Sequence, residues 1–346
     1  MEHIWISDLK DGQTVDGVYY LRNKSLATTK AGKPYLNLVL ADRTGELEGK
    51  MWDSADKYDA NIAAGDFVFV QARGNTYNNQ LQMVVNYLEP VDKDSIDPAL
   101  FLPVTSGDVN AFWQTVQTLL ASIEDEPMRA LCEAALADAE IADGLRRAPA
   151  ATGVHQAYVG GLLEHTCSMM LLADMVCRHY PALNRDLLLT GVLFHDLGKI
   201  REMSYELSLD YTDEGRLVGH QVIAVEYVTR LAAGVGNIPA ETVTLLHHLI
   251  LSHHGRPEFG ATKLPMFAEA AVLHYLDNLD AKVFGFLEAE AQSTGNWSDR
   301  KWFLETQVYK IKRAETGYRF TLPGQETPPA KGKKTKTKQD LPLFEK

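Results

Sequence analysis

His195-Asp196-Leu197-Gly198-Lys199 is the stretch that most restricts the fold of this 346-residue chain. Imidazole and carboxylate are the side chains that together hold Mn, Fe, Co or Zn ions at neutral pH. On a helix, adjacent His and Asp side chains point about 100° apart, so that the imidazole serves one ion while the carboxylate reaches between two. We expect Gly198 to end the helix and to keep the backbone close to the site. Lys199 follows one turn away, where its ammonium can neutralise a phosphate oxygen.

Further histidines continue this pattern on both sides, since ten of the eleven lie between His155 and His274. The order of the chain predicts one metal site assembled from several helices, with the ligands His165, His195, Asp196, His220, His253, His254 and Asp277. His254 binds either metal or substrate, because neighbouring histidines face in different directions. The alternative is that these are ordinary core and surface histidines, and we assign His247 and His248 to that class.

Asp280 lies on the same helical face as Asp277, three residues away, and is expected to support a ligand or to pair with Lys282. His274 offers no case for a role beyond its closeness in sequence.

The composition restricts the class of protein further. An apolar content of 45% and a charged content of 23% are those of a folded soluble protein. No apolar stretch approaches the roughly 18 to 20 residues needed to cross a bilayer, and the start lacks a signal pattern, so we expect a cytoplasmic protein without membrane contact. Three cysteines without a CxxC pair argue against a disulfide frame or a thiolate zinc site. The net charge of −12 argues against bulk electrostatic binding of long duplex DNA, but not against a metal-centred phosphate site.

The chain divides into four predicted parts: 1–90, 91–108, 109–315 and 316–346. In the first, Leu36, Leu38 and Leu40 alternate with outward-facing residues, the period of a strand with one buried face, and short strands predict a small antiparallel barrel. Residues 91–108 are typical of a linker. Helical periodicity dominates 109–315, which predicts an all-α domain. The composition of 316–346, rich in Pro, Gly, Thr and Lys, predicts a disordered basic tail.

The N-terminal pattern Tyr35–Asp42, Gly45, Gly49 and Trp52 resembles the central hairpin of an OB-fold of the anticodon-binding kind. An OB-fold face binds single strands through aromatic platforms and a few cations. The candidates for nucleic-acid contact are Tyr35, Trp52, Tyr77, Lys33, Lys50 and Arg73. Packing or turn structure is the alternative role of each.

The order of His165, His195–Asp196 and Asp277 resembles the H…HD…D signature of HD-domain metal-dependent phosphohydrolases. His220, His253 and His254 match the positions that hold a second ion in binuclear members. The residues His155–Thr166, taken with the OB-like segment, resemble the YhaM family of bacterial 3′→5′ exoribonucleases, although Gln156 stands where that family usually has a second histidine.

This resemblance implies a metal-dependent exonuclease that acts on single-stranded RNA, and DNA is not excluded. It implies one or two divalent ions, of which manganese is expected and Fe, Co or Zn are alternatives. A metal-activated hydroxide would attack the phosphodiester, with Asp196 and Lys199 in catalytic roles. The oligomeric state is left open.

The C-terminal residues Gln339, Leu341, Leu343 and Phe344 resemble the peptides with which bacterial proteins dock onto the sliding clamp. Such a peptide presents apolar anchors on a flexible tether. The alternative is a plain hydrophobic terminus.

Two rival functions remain. The first is a phosphohydrolase of small nucleotides or cyclic dinucleotides. Its cyclic-dinucleotide form is disfavoured, because Gly255-Arg256-Pro257 stands where that branch has GYP. The second is a non-catalytic single-strand-binding adaptor carried to the clamp by the tail.

Overall fold

The N-terminal part of the structure, a computed structural model, is a closed five-stranded barrel with the strand order β1-β2-β3-β5-β4. The structure describes residues 3–29, 32–78, 80–96, 100–153, 156–205, 209–293, 295–312 and 320–323. The strands are β1 (Thr14–Thr28), β2 (Pro34–Asp42), β3 (Gly45–Met51), β4 (Phe67–Tyr77) and β5 (Gln80–Val91). A short helix, α1 (Ala55–Asp59), joins β3 to β4. The barrel and its order confirm the predicted OB-fold.

The alternation in β2 is confirmed: Leu36, Leu38 and Leu40 are at most 1% exposed and face the barrel core. The barrel differs from the prediction in one pairing. Its strands are antiparallel neighbours except for β3 and β5, which pair in parallel at Gly49↔Met83 and close the barrel. A simple antiparallel meander does not produce this contact, because β4 pairs instead with β1 and β5.

Residues 100–105 form an interdomain strap that is hydrogen-bonded at both ends. On the barrel side, the Arg43 N–H donates to the Leu100 carbonyl at 3.0 Å. On the helical side, Val104 forms a parallel bridge with Val159, and Thr105 donates its hydroxyl to the buried Glu164 at 2.5 Å. This part of the predicted linker is therefore ordered and attached to both domains.

The rest of the described chain is mainly helical. The helices are α2 (Val109–Ala121), α3 (Glu126–Ala137), α4 (Ala139–Arg147), α5 (Gly161–His179), α6 (Arg185–Phe194), α7 (Lys199–Glu202), α8 (Asp213–Leu217), α9 (His220–Val235), α10 (Ala240–Ser252) and α11 (Ala268–Gln292). Side chains of Asp108, Asp125, Asp138 and Asn184 cap four of these helices by accepting N–H groups that the first turn leaves free. One apolar core is shared by α2 to α6 and α9 to α11.

Two local features differ from the predicted all-α domain. A two-stranded ladder, β6 (Met203–Ser204) with β7 (Asp210–Tyr211), interrupts the helices. After α11 the chain forms a hairpin, although the predicted helical periodicity extended over this segment. Within the described ranges, no helix is long and apolar enough to cross a membrane.

Candidate metal centre

The seven predicted ligands converge from five helices, most of them at helix ends. His165 lies in α5 and Asp277 in α11, while His220 is the first residue of α9. His195–Asp196 follows directly after α6, and His253–His254 follows directly after α10. Because helix ends are the points where the chain changes direction, they bring these distant residues together at one place.

The ligand atoms form two groups, each within 4.8 Å: His165, His195, Asp196 and Asp277 in one, and His220, His253 and His254 in the other. Asp196 lies between them. Its Oδ2 is 3.4 Å from His195 Nε2 and 3.7 Å from His165 Nε2. Its Oδ1 is 3.6 Å from the Nε2 atoms of both His220 and His253. One carboxylate thus presents a different oxygen to each group.

These separations suit metal coordination better than hydrogen bonding. Two donors that are each about 2.1 Å from one ion lie roughly 3.0 Å apart at an angle of about 90° and about 3.6 Å apart at about 120°, whereas hydrogen bonds to an imidazole nitrogen are shorter than most of the distances here. Four buried atoms of the centre have no hydrogen-bond partner among the described residues: Asp196 Oδ1 and the Nε2 atoms of His195, His220 and His253. Orphaned buried polar atoms are rare unless an ion or water satisfies them. The donor set therefore fits a pair of divalent ions.

The Nδ1 atoms explain why Nε2 faces the centre. His195 Nδ1 donates to the Val192 carbonyl at 2.8 Å, and His253 Nδ1 donates to the Ile250 carbonyl at 2.7 Å. His220 Nδ1 lies 3.0 Å from Glu202 Oε1, which also accepts the His220 N–H at the start of α9. An acceptor at Nδ1 holds the proton there and leaves the Nε2 lone pair for a metal.

Asp280 plays the same part for His165, and the prediction that it supports a ligand agrees with this geometry. Asp280 Oδ2 accepts from His165 Nδ1 at 2.7 Å, and Oδ1 accepts from Ser168 Oγ at 2.5 Å. The Gln156 amide lies 3.5 Å from Oδ2. Lys282, the alternative partner predicted for Asp280, donates instead to the Phe303 carbonyl. Gln156 thus reaches the centre indirectly, through the carboxylate that orients His165.

His254 has a different environment. Its Nδ1 lies 3.2 Å from Gln221 Nε2, and Gln221 Oε1 accepts from Thr262 at 3.3 Å. When the Gln221 amide nitrogen donates to His254 Nδ1, the neutral imidazole carries its proton on Nε2 and acts there as a donor. If the Gln221 amide is turned so that its oxygen faces Nδ1, the proton stays on Nδ1 and Nε2 is free to bind a metal. The choice between metal and substrate contact for His254 thus depends on Gln221.

Gly198 does not end a helix as expected, because α6 already ends at Phe194 and Gly198 keeps a helical φ of −61° before α7. Its closeness to the site is nevertheless real. A Cβ added to Gly198 would lie 2.0 Å from the His220 carbonyl oxygen. Glycine at this position therefore lets the turn that carries His195–Asp196 touch the start of α9.

The Lys199 ammonium is paired with a carboxylate of the centre. Its side chain is 12% exposed, and Nζ donates to Asp196 Oδ2 at 2.7 Å. Burial opposes both charges, but their attraction raises the pKa of Lys199 and holds the pKa of Asp196 well below its usual range. The ammonium therefore neutralises the carboxylate shared by both donor groups.

Burial and neighbouring charges shift the pKa values of the histidines in opposite directions. Burial alone would lower the pKa of His165, but Asp277 and Asp280 raise it to about 10. Burial, reinforced by His253 and His220, lowers the pKa of His254 to about 3. The pKa of Asp277 is lowered, because its bond to His165 outweighs the burial that would raise it. The carboxylates are therefore anionic and His253 and His254 neutral near about pH 7, the states in which these groups bind a cation, whereas an ion at His165 would have to displace its proton.

The proposed nucleic-acid residues of the barrel fall into two places. On the outer face of β2 and β3, Tyr35 stacks on Trp52 with ring centroids 4.8 Å apart. Lys33 pairs with Asp53 at 2.7 Å, and Lys50 donates to Asn37 at 2.6 Å. At the other place, Tyr77 is 64% exposed at the β4–β5 turn, and Arg73 donates to the Gly12 carbonyl. The β2–β3 face and the β4–β5 loop are where OB-folds bind single strands.

Several residues that hold the ligands were missed by sequence reasoning: Ser168, Glu202, Gln221 and His274. His274 Nδ1 donates to the His253 carbonyl at 2.8 Å and ties α11 to the end of α10. Nothing in their spacing distinguishes them. The predicted clamp-docking residues Gln339, Leu341, Leu343 and Phe344, like His155, lie outside the described residues, and their roles stay predictions.

A closed five-stranded barrel followed by a helical bundle with an H…HD…D cluster defines an OB-fold protein fused to an HD domain. Family comparison agrees: the HD domain matches residues 162–282, and the OB-fold nucleic acid binding domain matches residues 20–91. The chain belongs to the YhaM family, as the following relatives show.

Relatives with the name 3′-5′ exoribonuclease YhaM include the following three proteins. The protein of Bacillus subtilis (strain 168) is 34% identical over 86% of this chain and 95% of its own length. The protein of Bacillus velezensis is 35% identical over 86% of this chain and 95% of its own length. The protein of Listeria monocytogenes serotype 4b is 32% identical over 87% of this chain and 96% of its own length. Among solved structures, the second OB-fold domain of replication protein A from Methanococcus maripaludis covers 28% of this chain and 100% of that chain, at 21% identity and a TM-score of 0.23, too low to carry a conclusion.

Proposed function

We propose that this chain is a divalent-metal-dependent 3′→5′ exonuclease that hydrolyses single-stranded RNA. The observation that carries the proposal is Asp196, whose two oxygens face two separate groups of donors inside a buried site. The family name of the relatives supplies the direction and the substrate class. The division into an OB-fold domain (1–90), a linker (91–108), an HD domain (109–315) and a tail (316–346) belongs to the same proposal.

His165, His195, Asp196 and Asp277 would hold one ion, and His220, His253 and His254 with Asp196 the other. When bound, divalent ions supply Lewis acidity to phosphoryl oxygens and lower the pKa of water, and manganese is the ion we propose. The residues of the chain position these groups. Glu202 and Asp280 orient the imidazoles, while the closeness of α9 to Gly198 keeps His220 within reach of Asp196.

Lys199 has a role that changes when substrate binds. Its ammonium now neutralises Asp196, and its flexible four-carbon stem allows the charge to move to a phosphate oxygen. A cation that meets developing negative charge in the transition state contributes more to catalysis than to substrate binding. Lys199 is therefore proposed as the contact of the scissile phosphate.

The barrel would bind the strand upstream of the scissile bond. Tyr35, Trp52, Lys33 and Lys50 lie together on the β2–β3 face, and Tyr77 stands at the edge of that domain. Stacking on aromatic rings tolerates any base sequence, which suits an exonuclease. The cations on this face already have protein partners, so we expect stacking to provide more of the affinity than charge.

The test follows RNA and DNA oligonucleotides, 5′-labelled and incubated with Mn²⁺ beside free nucleotides and cyclic dinucleotides. We expect a ladder of shortening 5′-labelled RNA, and none from Asp196→Asn. Turnover of only the free or cyclic nucleotides would favour a small-nucleotide phosphohydrolase. Strand binding without turnover under any divalent metal would favour the non-catalytic adaptor.

A further inference from the structure

A hairpin after α11, residues 296–312, is built into the helical domain but has no part in the centre described above. The Lys310 N–H donates to the Asn296 carbonyl at 2.8 Å, and bridges join Trp297 to Tyr309 and Lys301 to Thr306. On its inner side Leu304 and Val308 pack with Ala289 of α11 in a small apolar cluster. The hairpin is thus anchored, and its outer side is available for another role.

The outer side of this hairpin carries three large exposed aromatic rings. Trp302 is 76% exposed, Trp297 59% and Tyr309 51%, against 40% for Trp52 on the barrel face. Trp297 and Tyr309 contact each other edge to face, with ring centroids 5.0 Å apart. A contacting pair of exposed aromatic rings, with a third on the same hairpin, is unusual on a surface that binds nothing, because burying such rings is favourable.

The charge around these rings is opposite in sign to that of the chain. Residues 296–312 contain four basic and two acidic side chains, a net charge of +2, whereas the chain as a whole carries −12. Arg300 and Lys312 are exposed and form no hydrogen bond or salt bridge with any other residue that the structure describes. Aromatic rings interleaved with uncommitted cations match bases and phosphates, whereas an apolar protein partner would need no such cations.

The hairpin also lies beside the loop that leads to the centre. Lys301 and Phe303 line a cavity of about 250 Å³ together with Gly153 and Ala157 of the loop before α5. The amide of Gln156, in this loop, reaches Asp280. Ala157 also lines a crevice shared with Arg22 and Arg43 of the barrel. One short loop therefore borders the hairpin, the barrel crevice and the network behind His165.

We propose that the hairpin is a second contact for single-stranded RNA, in which Trp297, Trp302 and Tyr309 stack on bases while Arg300 and Lys312 meet phosphates. The proposal rests on the proposed function and extends it, because it places strand contacts on the helical domain as well as on the barrel. It also gives an acidic protein a local basic surface for its anionic substrate.

The test measures binding of a labelled 20-nucleotide RNA in a metal chelator, so that nothing is cleaved. Trp297→Ala, Trp302→Ala and Tyr309→Ala are compared with Tyr275→Ala, an aromatic residue 68% exposed on α11 outside the hairpin. We expect each hairpin variant to weaken binding by about 5- to 150-fold and the control to leave it unchanged. Arg300→Gln and Lys312→Gln should each reduce the slope of log K against log salt by about 0.7.

A second measurement uses a dinucleotide, the shortest strand with a phosphodiester bond, and Mn²⁺. Turnover of the dinucleotide should be the same in the hairpin variants as in the wild type, which shows that the centre is intact. If the wild type binds and degrades RNA while the hairpin variants bind equally well, the hairpin proposal is overturned and the proposed function stands. If the wild type neither binds nor degrades RNA, both fall. Equal weakening by Tyr275→Ala also overturns the hairpin proposal.

Discussion

Replacing Gly198 by alanine tests whether the close approach of two chain segments builds the centre. The added Cβ would lie 2.0 Å from the His220 carbonyl oxygen and 2.7 Å from its carbon, so backbone must move. Gly198 has an ordinary helical φ of −61°, so the effect is steric and not one of backbone preference. Overpacking costs about 1 to 3 kcal/mol, which the lower unfolded-state entropy of alanine offsets by about 0.4 to 1 kcal/mol.

The displaced group is the first residue of α9, and its imidazole is a proposed ligand. We therefore expect Gly198→Ala to lower the thermal midpoint by roughly 2 to 4 °C per kcal/mol lost and to reduce bound Mn²⁺ from two ions towards one. Circular dichroism follows the first and mass spectrometry of dialysed protein the second. Gly234→Ala is the matched control, since its Cβ meets nothing within 4 Å and it lies within α9. It should keep both ions and melt no lower than the wild type. A Gly198→Ala protein that does the same would refute the reasoning.

Four further predictions concern the residues around this contact. Asp280→Asn should weaken Mn²⁺ binding about 10- to 100-fold in a titration, because His165 loses its charged acceptor, while Asn278→Ala on the same helix should not. Lys199→Gln should lower kcat about 100- to 1000-fold with metal content kept, and a loss confined to KM would contradict its placement at the phosphate. Chelation should lower the thermal midpoint of the wild type but not that of Asp196→Asn, since bound ions at 100-fold above Kd stabilise by about 2.7 kcal/mol. In urea titrations of chelated protein, the wild type should lose about 1.6 kcal/mol more of its unfolding free energy than His254→Gln between pH 6.5 and 5, because unfolded histidine takes up a proton that folded His254, with a pKa of about 3, does not. Equal losses would argue against a neutral buried ring.

The residue types of the centre could be predicted from the sequence, because few side chains bind divalent metals and their order along the chain is informative. Asp196 does present its two oxygens to two groups, but from the turn after α6 and not from the helix that was predicted. Glu202 and Gln221 could not be predicted, since each acts through a contact across helices that leaves no periodic trace. The phosphate contact of Lys199 stays a prediction, whereas its pairing with Asp196, three residues earlier in the chain, was missed.

The barrel was predictable for a different reason. The alternation of Leu36, Leu38 and Leu40 follows from one buried sheet face, and the turn at Asp42 to Gly45 follows from turn chemistry. The parallel closure of β3 against β5 is a long-range contact that local pattern does not encode. The hairpin after α11 was missed because its apolar residues suit either a helix or a short strand.

The strap at residues 100–105 fixes the distance between the barrel and the metal centre. It is hydrogen-bonded to the β2–β3 turn through Arg43 at one end, and at the other to Val159 and to Glu164, the neighbour of His165. Under the proposed function, a strand that contacts the barrel and is cut at the metal centre therefore spans a set distance. Once the remaining fragment is shorter than that distance, it can no longer contact the barrel and the metal centre at the same time. Digestion should therefore slow at one characteristic fragment length. Thr105→Val, which removes the hydroxyl bond to Glu164, should blur that length in a digestion ladder, and an unchanged ladder would show that the strap does not set it.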